Sequence, residues 1–111
     1  MANYAWVITR SYIANSIPFE DRYGSVSVPV DIAGPSGASD AILAKAASDG
    51  VPFRMYDDDG ILYYVGRCYS DEGTENGLGE EFFGPLEDYG GPGAGCTEIR
   101  YRMPSGKWET L

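Results

Sequence analysis

The sequence predicts an α+β domain: a mainly antiparallel β-sheet of about four to six strands with one short α-helix. Three observations carry this expectation. Tyr4–Ile13, Val51–Tyr56, Ile61–Tyr69 and Cys96–Met103 are rich in β-branched and aromatic residues and alternate along the chain. Connections rich in Gly, Pro and Asp separate these runs. A single stretch, Ala41–Ser48, is Ala-rich and preceded by a residue suited to capping a helix.

Taken in order, Tyr4–Ile13 reads as the first strand, with Trp6, Ile8 and Arg10 on one face and Val7, Thr9 and Ser11 on the other. A short, irregular strand is expected around Ser25–Val28, confined to an edge or ended by Pro29. Residues 33–38 read as a loop. Ser39 then caps a helix over 41–48, with Asp40 in the first turn, Ile42, Leu43, Ala46 and Ala47 as its apolar stripe, and Gly50 as the terminating C′ residue. Val51–Tyr56 and Ile61–Tyr69 form a hairpin about Asp57-Asp58-Asp59-Gly60, in which Gly60 supplies a positive φ. Both faces of the second of these strands are apolar or aromatic, which predicts a central position in the sheet. Residues 70–79 read as a polar loop. Residues 80–89 read as either a helical turn broken at Gly84-Pro85 or an extended segment, and residues 90–95 as a flexible loop. Cys96–Met103 sets Ile99, Tyr101 and Met103 against Glu98, Arg100 and Arg102. Lys107–Leu111 returns as a last short strand with Trp108 on the sheet.

A length of 111 residues suits one domain spanning 1–111, and 43% hydrophobic residues are too many for a disordered acidic tail. The first residues lack the basic and apolar regions of a signal peptide, and no stretch is long and apolar enough to span a bilayer; the expected setting is the cytoplasm of a bacterial host cell. Cys68 and Cys96 are read as two half-buried thiols, with a bridge between neighbouring strands left open.

The charge is regional. The net charge is −9, yet residues 57–98 hold eleven acids and a single base, Arg67, while the rest of the chain is close to neutral. Such an excess opposes folding through self-repulsion and creates a field that steers basic partners. A solvated surface that confers solubility accounts for the same composition.

Catalytic chemistry finds little support. There is no His, which excludes Ser-His and Cys-His nucleophile systems and His-ligated metals. Two Cys fall short of a structural zinc site. The glycines do not form a phosphate-binding loop. In Asp57-Asp58-Asp59-Gly60, aligning Gly60 with the glycine of a calcium-binding EF-hand loop puts Met55 and Gly66 at the end positions, where acids are required. The chain is therefore expected not to be an enzyme and to hold no cofactor or metal. Direct nucleic-acid binding is disfavoured, since DNA repels a strongly negative protein. The same physics favours a basic partner. Asp57, Asp58, Asp59, Asp71, Glu72, Glu75, Glu80, Glu81, Glu87 and Asp88 are the expected contacts, with Phe82, Phe83 and Tyr89 as apolar anchors among them.

The hairpin FRMYDDDGILYYVGR, the segment FFGPLEDYGGPGAGCTEIRYR and the ending KWETL resemble small acidic proteins of bacteria and their phages. In size and regional acidity the chain is similar to anti-CRISPR and anti-restriction inhibitors, several of which mimic nucleic acid. This resemblance implies an inhibitor that occupies the nucleic-acid groove of a bacterial defence complex, such as a CRISPR surveillance complex, with carboxylates at phosphate positions. The alternative is a non-catalytic interaction module that meets its partner through a Tyr-rich sheet face, carrying Tyr56, Tyr63, Tyr64, Tyr69, Tyr89 and Tyr101. Oligomeric state is not determined at this level.

Overall fold

The computed structural model describes residues 3–22, 26–71 and 78–111. Within them, strands β1 (Tyr4–Ser11), β2 (Val28–Gly34), β3 (Val51–Tyr56), β4 (Leu62–Ser70), β5 (Glu98–Arg102) and β6 (Trp108–Thr110) form one sheet in the order β2-β1-β4-β3-β5-β6. Every neighbouring pair is antiparallel. The α+β, mainly antiparallel class predicted from the sequence is the class observed. β4 lies inside the sheet between β1 and β3, as its two apolar faces require. Pro29 sits in β2, at one edge, where a missing N–H removes no ladder bond on the outer side. No helix among the described residues is long and apolar enough to cross a membrane.

Two expectations for the first strands need correction. β2 spans Val28–Gly34, beyond the predicted Ser25–Val28 and into the predicted loop; Ser25 itself lies outside the described residues. The segment alternates half-buried Val28, Val30 and Ile32 with exposed Pro29, Asp31 and Ala33, the pattern of a strand with one covered face. In β1 the register shifts between Ile8 and Arg10. This bulge reverses the alternation after Ile8, so that Ser11 becomes buried alongside Tyr64 and Arg10 turns outward opposite Val65.

The helix α1 (Asp40–Asp49) packs on one face of the sheet, over β1 and β4. Ser39 Oγ accepts from the Ile42 N–H at 3.3 Å, as the cap predicted. Ile42 and Ala46 bury against Ala5, whereas Ala47 is exposed. Gly50 ends the helix, but in extended rather than left-handed backbone (φ −64°, ψ 151°), leading straight into β3. Glycine is required there by space: a Cβ would lie 2.3 Å from the Ala46 carbonyl oxygen.

The opposite face carries the main core: Trp6, Ile8, Phe53, Met55, Tyr64, Cys68, Ile99 and Tyr101, closed over by Phe82 and Cys96. The cover is a helical run, comprising a 3₁₀ turn (Glu80–Phe83), a π-type turn (Leu86–Gly90) and a short helix α2 (Gly91–Ala94). Neither the predicted break at Gly84-Pro85 nor the predicted flexible loop over 90–95 is present. Gly84 and Pro85 both hold helical backbone. The run persists where local propensity is poor because the sheet holds it. Tyr101 Oη donates to the Phe82 carbonyl at 2.6 Å. The Tyr4 ring presses so closely on Gly84 that a Cβ would lie 2.3 Å from it, and Met55 Sδ does the same to Gly90 at 2.5 Å.

Cys68 and Cys96 are free and buried, not half-buried. Burial pushes both thiols up to about 12. The six tyrosines proposed as one face are divided between two. Tyr64, Tyr89 and Tyr101 pack in the main core, where Tyr89 contacts both Tyr64 and Trp6. Strand alternation places Tyr56 on the opposite side from Phe53 and Met55, and Tyr69 packs with the α1 cluster, whereas Tyr63, at a register shift between β3 and β4, packs against the main core.

Candidate functional site

The site begins with the helical run. Its inward side chain, Phe82, is 1% exposed and meets Tyr101 edge-on, with ring centroids 5.3 Å apart. With Phe82 turned in, Glu80 and Glu87 are exposed and Glu81 and Phe83 half-exposed. Glu80, Glu81 and Glu87 line one groove together with Tyr4, Phe83 and Gly84. Glu81 is oriented by Ser70, whose Oγ donates to its Oε1 at 3.1 Å. Asp71 follows Ser70 and is exposed; its N–H is held by the Asn3 carbonyl.

Asp88 is fixed more firmly than its neighbours. Tyr4 Oη donates to its Oδ2 at 2.6 Å and Trp6 Nε1 donates to the same oxygen at 3.1 Å. These bonds tie the helical run to β1. Burial, reinforced by the bond to Asp88 and its negative charge, raises the Tyr4 phenol above its ordinary value, so it remains a donor. Tyr4 and Trp6 were not singled out as site residues. Their partner is more than eighty positions away in the chain, and no local signal announces it.

The Asp57–Asp59 turn lies at the end of the β3–β4 hairpin. Asp57 Oδ1 accepts from the N–H groups of Asp59 and Ile61, each at 2.9 Å, an arrangement that closes the turn. The Ile61 N–H is the main reason that the Asp57 carboxyl is held below its ordinary value; partial desolvation opposes it, and the Tyr63 hydroxyl and the Asp59 N–H assist. Gly60 has φ +78°, as the hairpin predicted. One carboxylate oxygen from each of the three aspartates lies within 4.8 Å of the others. Asp58 and Asp59 are exposed, and Asp57 is committed to its turn.

This turn lines a second groove with Phe83, Leu86, Ile99, Glu98 and Leu111. Phe83 therefore borders both acidic grooves. The fold brings Glu80, Glu81 and Glu87 together in one groove and Asp57–Asp59 into a second that shares Phe83 with it, while Asp71 lines neither. Glu72 and Glu75 lie outside the described residues. Glu98, the remaining acid of the segment, forms an ion pair with Arg100.

The bases occupy a different surface. Arg54, Arg100 and Arg102 lie on strand positions that alternate with the buried Phe53, Met55, Ile99 and Tyr101, so they stand on the side of the sheet away from the helical run. Arg67, in β4, faces the same way and donates to the Gly50 carbonyl at the end of α1. Glu80, Glu81 and Glu87 thus lie on the side covered by the helical run and Arg54, Arg67, Arg100 and Arg102 on the other, which also carries Glu98 and, on α1, Asp40 and Asp49. No protein-family model, curated protein or solved structure matches this chain.

Proposed function

We propose that this protein works without catalysis, as an acidic decoy that fills the nucleic-acid groove of a basic protein, of the kind that bacterial defence complexes such as CRISPR effectors present. The observation that carries the reading is the groove of Glu80, Glu81 and Glu87 with Phe83, next to a second groove that shares Phe83 and is lined by Asp57–Asp59. Carboxylates on a rigid scaffold supply the charge that Lys and Arg side chains expect from phosphates. Phe83 and Leu86 offer apolar area at the centre of the acidic surface, where interface hot spots concentrate.

Face segregation strengthens the field. Arg54, Arg100 and Arg102 stand on the opposite side of the sheet from the groove of Glu80, Glu81 and Glu87. A partner approaching that groove meets no base in its lining among the described residues. Tyr-mediated docking has less support, because Tyr64 and Tyr101 are buried and unavailable to a partner.

The test uses the protein as bait in a bacterial lysate, beside a variant with Glu80, Glu81 and Glu87 changed to Gln. Wild type should enrich nucleic-acid-binding proteins that the variant does not. Each captured protein is then titrated while bound to DNA. Release of the DNA, with an affinity that falls steeply as salt rises, supports the decoy. A captured target that still binds DNA at saturating inhibitor refutes it.

A further inference from the structure

We propose that the open half of the sheet, carrying Arg54, Arg100 and Arg102 with Tyr56 and Trp108, docks the acidic side of a second copy of this chain, so that protomers stack front to back. The helix α1 covers β1 and β4 and, among the described residues, the outer face of β3, β5 and β6 is left open. On that face Arg54 pairs across the strands directly with Arg100, and Arg102 with Trp108. Like charges placed directly opposite one another destabilise a sheet unless something offsets them.

The offset within the chain is partial. The Arg54 guanidinium lies over the Trp108 ring, 4.0 Å from its centre, and that of Arg100 over Tyr56 at 4.3 Å. Stacking orders each guanidinium as a flat plate and leaves its N–H edge for an acceptor. Among the described residues, Glu98 is the single carboxylate paired with these three arginines, and it is taken by Arg100. The face is therefore a pre-ordered array of planar donors with too few acceptors, flanked by aromatic area. Its natural complement is a surface of carboxylates around an apolar centre.

The other side of this same molecule is such a surface. Glu80, Glu81 and Glu87 surround Phe83 there. Carboxylate and guanidinium match as bidentate forks, and Phe83 meets the Tyr56–Trp108 side as an apolar anchor. The net charge of −9 does not forbid the contact, because centres separated by 22 Å or more are screened beyond roughly two Debye lengths. Because the two faces differ, the contact is heterologous, and it propagates rather than closing as a two-fold dimer. Stacking hides the acidic side. That consequence for inhibition rests on the proposed function; the stacking itself does not.

Sedimentation equilibrium across a concentration series, at a low salt of about 0.15 M and a high salt of about 1 M, tests this without any target. At low salt the weight-average mass should rise above the 12.0 kDa of one chain, and it should return to that value at high salt. R54Q/R100Q and E80Q/E81Q/E87Q should each remain monomeric, with circular dichroism confirming that both are folded. An equimolar mixture of the two variants retains one good face of each kind, so it should give a heterodimer and nothing larger. A wild type that stays monomeric at low salt overturns the proposal. So does self-association that survives in either variant alone. Wild type that binds a single-stranded oligonucleotide through these arginines, without self-association, overturns it in favour of nucleic acid.

Discussion

Tyr101→Phe removes one oxygen atom and tests what holds the helical run on the sheet. Tyr101 is 0% exposed, and its hydroxyl donates to the Phe82 carbonyl at 2.6 Å. In a 3₁₀ turn that carbonyl would take the N–H three residues on, but residue 85 is Pro and has none. The substitution keeps the ring, which still packs on Phe82 and Phe53 at centroid distances of 5.3 and 5.9 Å. The loss is then that of a buried hydrogen bond with its acceptor left unsatisfied, about 1–3 kcal/mol. For a chain of this length that lowers Tm by roughly 4–12 °C. Urea denaturation followed by circular dichroism reads the change as a lower midpoint with an unchanged slope. Tyr56→Phe, on the open face, is the control and should stay within about 0.5 kcal/mol of wild type. If Tyr101→Phe costs no more than this control, the run is not anchored through Phe82, and the account of how Glu80, Glu81 and Phe83 are positioned fails with it.

Two further predictions concern titration. Cys68 and Cys96 are neutral in the core, with folded pKa values raised from an ordinary 9.0 to about 12. Their contribution is complete below pH 9 and is lost as pH climbs toward 12, because the unfolded thiols ionise first. Each fully displaced proton adds a slope of about 1.4 kcal/mol per pH unit. Urea midpoints measured between pH 8 and pH 10, together with native thiols that resist a thiol-specific dye at pH 8, check this. Cys68→Ala should flatten the alkaline slope. Asp57 behaves in the opposite sense: its folded value is depressed, so its contribution is present above the unfolded carboxylate pKa and lost as pH falls through the folded one. Asp57→Asn keeps the acceptor and removes that acid dependence, whereas Asp57→Ala should also expose the Asp59 and Ile61 amides to faster hydrogen exchange.

Strand alternation read from the sequence was reliable where one side of a strand is buried and the other is not. Phe53 and Met55, and Ile99 and Tyr101, lie on the core side as expected, with Arg54, Arg100 and Arg102 on the other. Alternation failed at Thr9, where a bulge moved Ser11 inward and Arg10 outward. Nothing in Val7-Ile8-Thr9-Arg10 marks the extra residue; the pairing with β4 creates it. The helical run was misread for a related reason. Gly84, Pro85 and Gly90–Gly95 speak locally for turns, yet the space beneath them is filled by Tyr4 and Met55, which only small residues admit at that distance.

By itself, then, the sequence settled the fold class, the central place of β4, the capped helix and the regional gathering of acids. Each of these depends on spacing of a few residues or on totals over a segment, and such information survives in a linear string. Tertiary structure decided which acids share a surface, that Asp88 is held by Tyr4 and Trp6, and that Glu80, Glu81 and Glu87 lie on the opposite side of the sheet from Arg54, Arg100 and Arg102. Those outcomes depend on which side of the sheet the segment after β4 folds back to cover. That choice is made by complementary packing between residues far apart in the chain, where no periodicity in the sequence reaches.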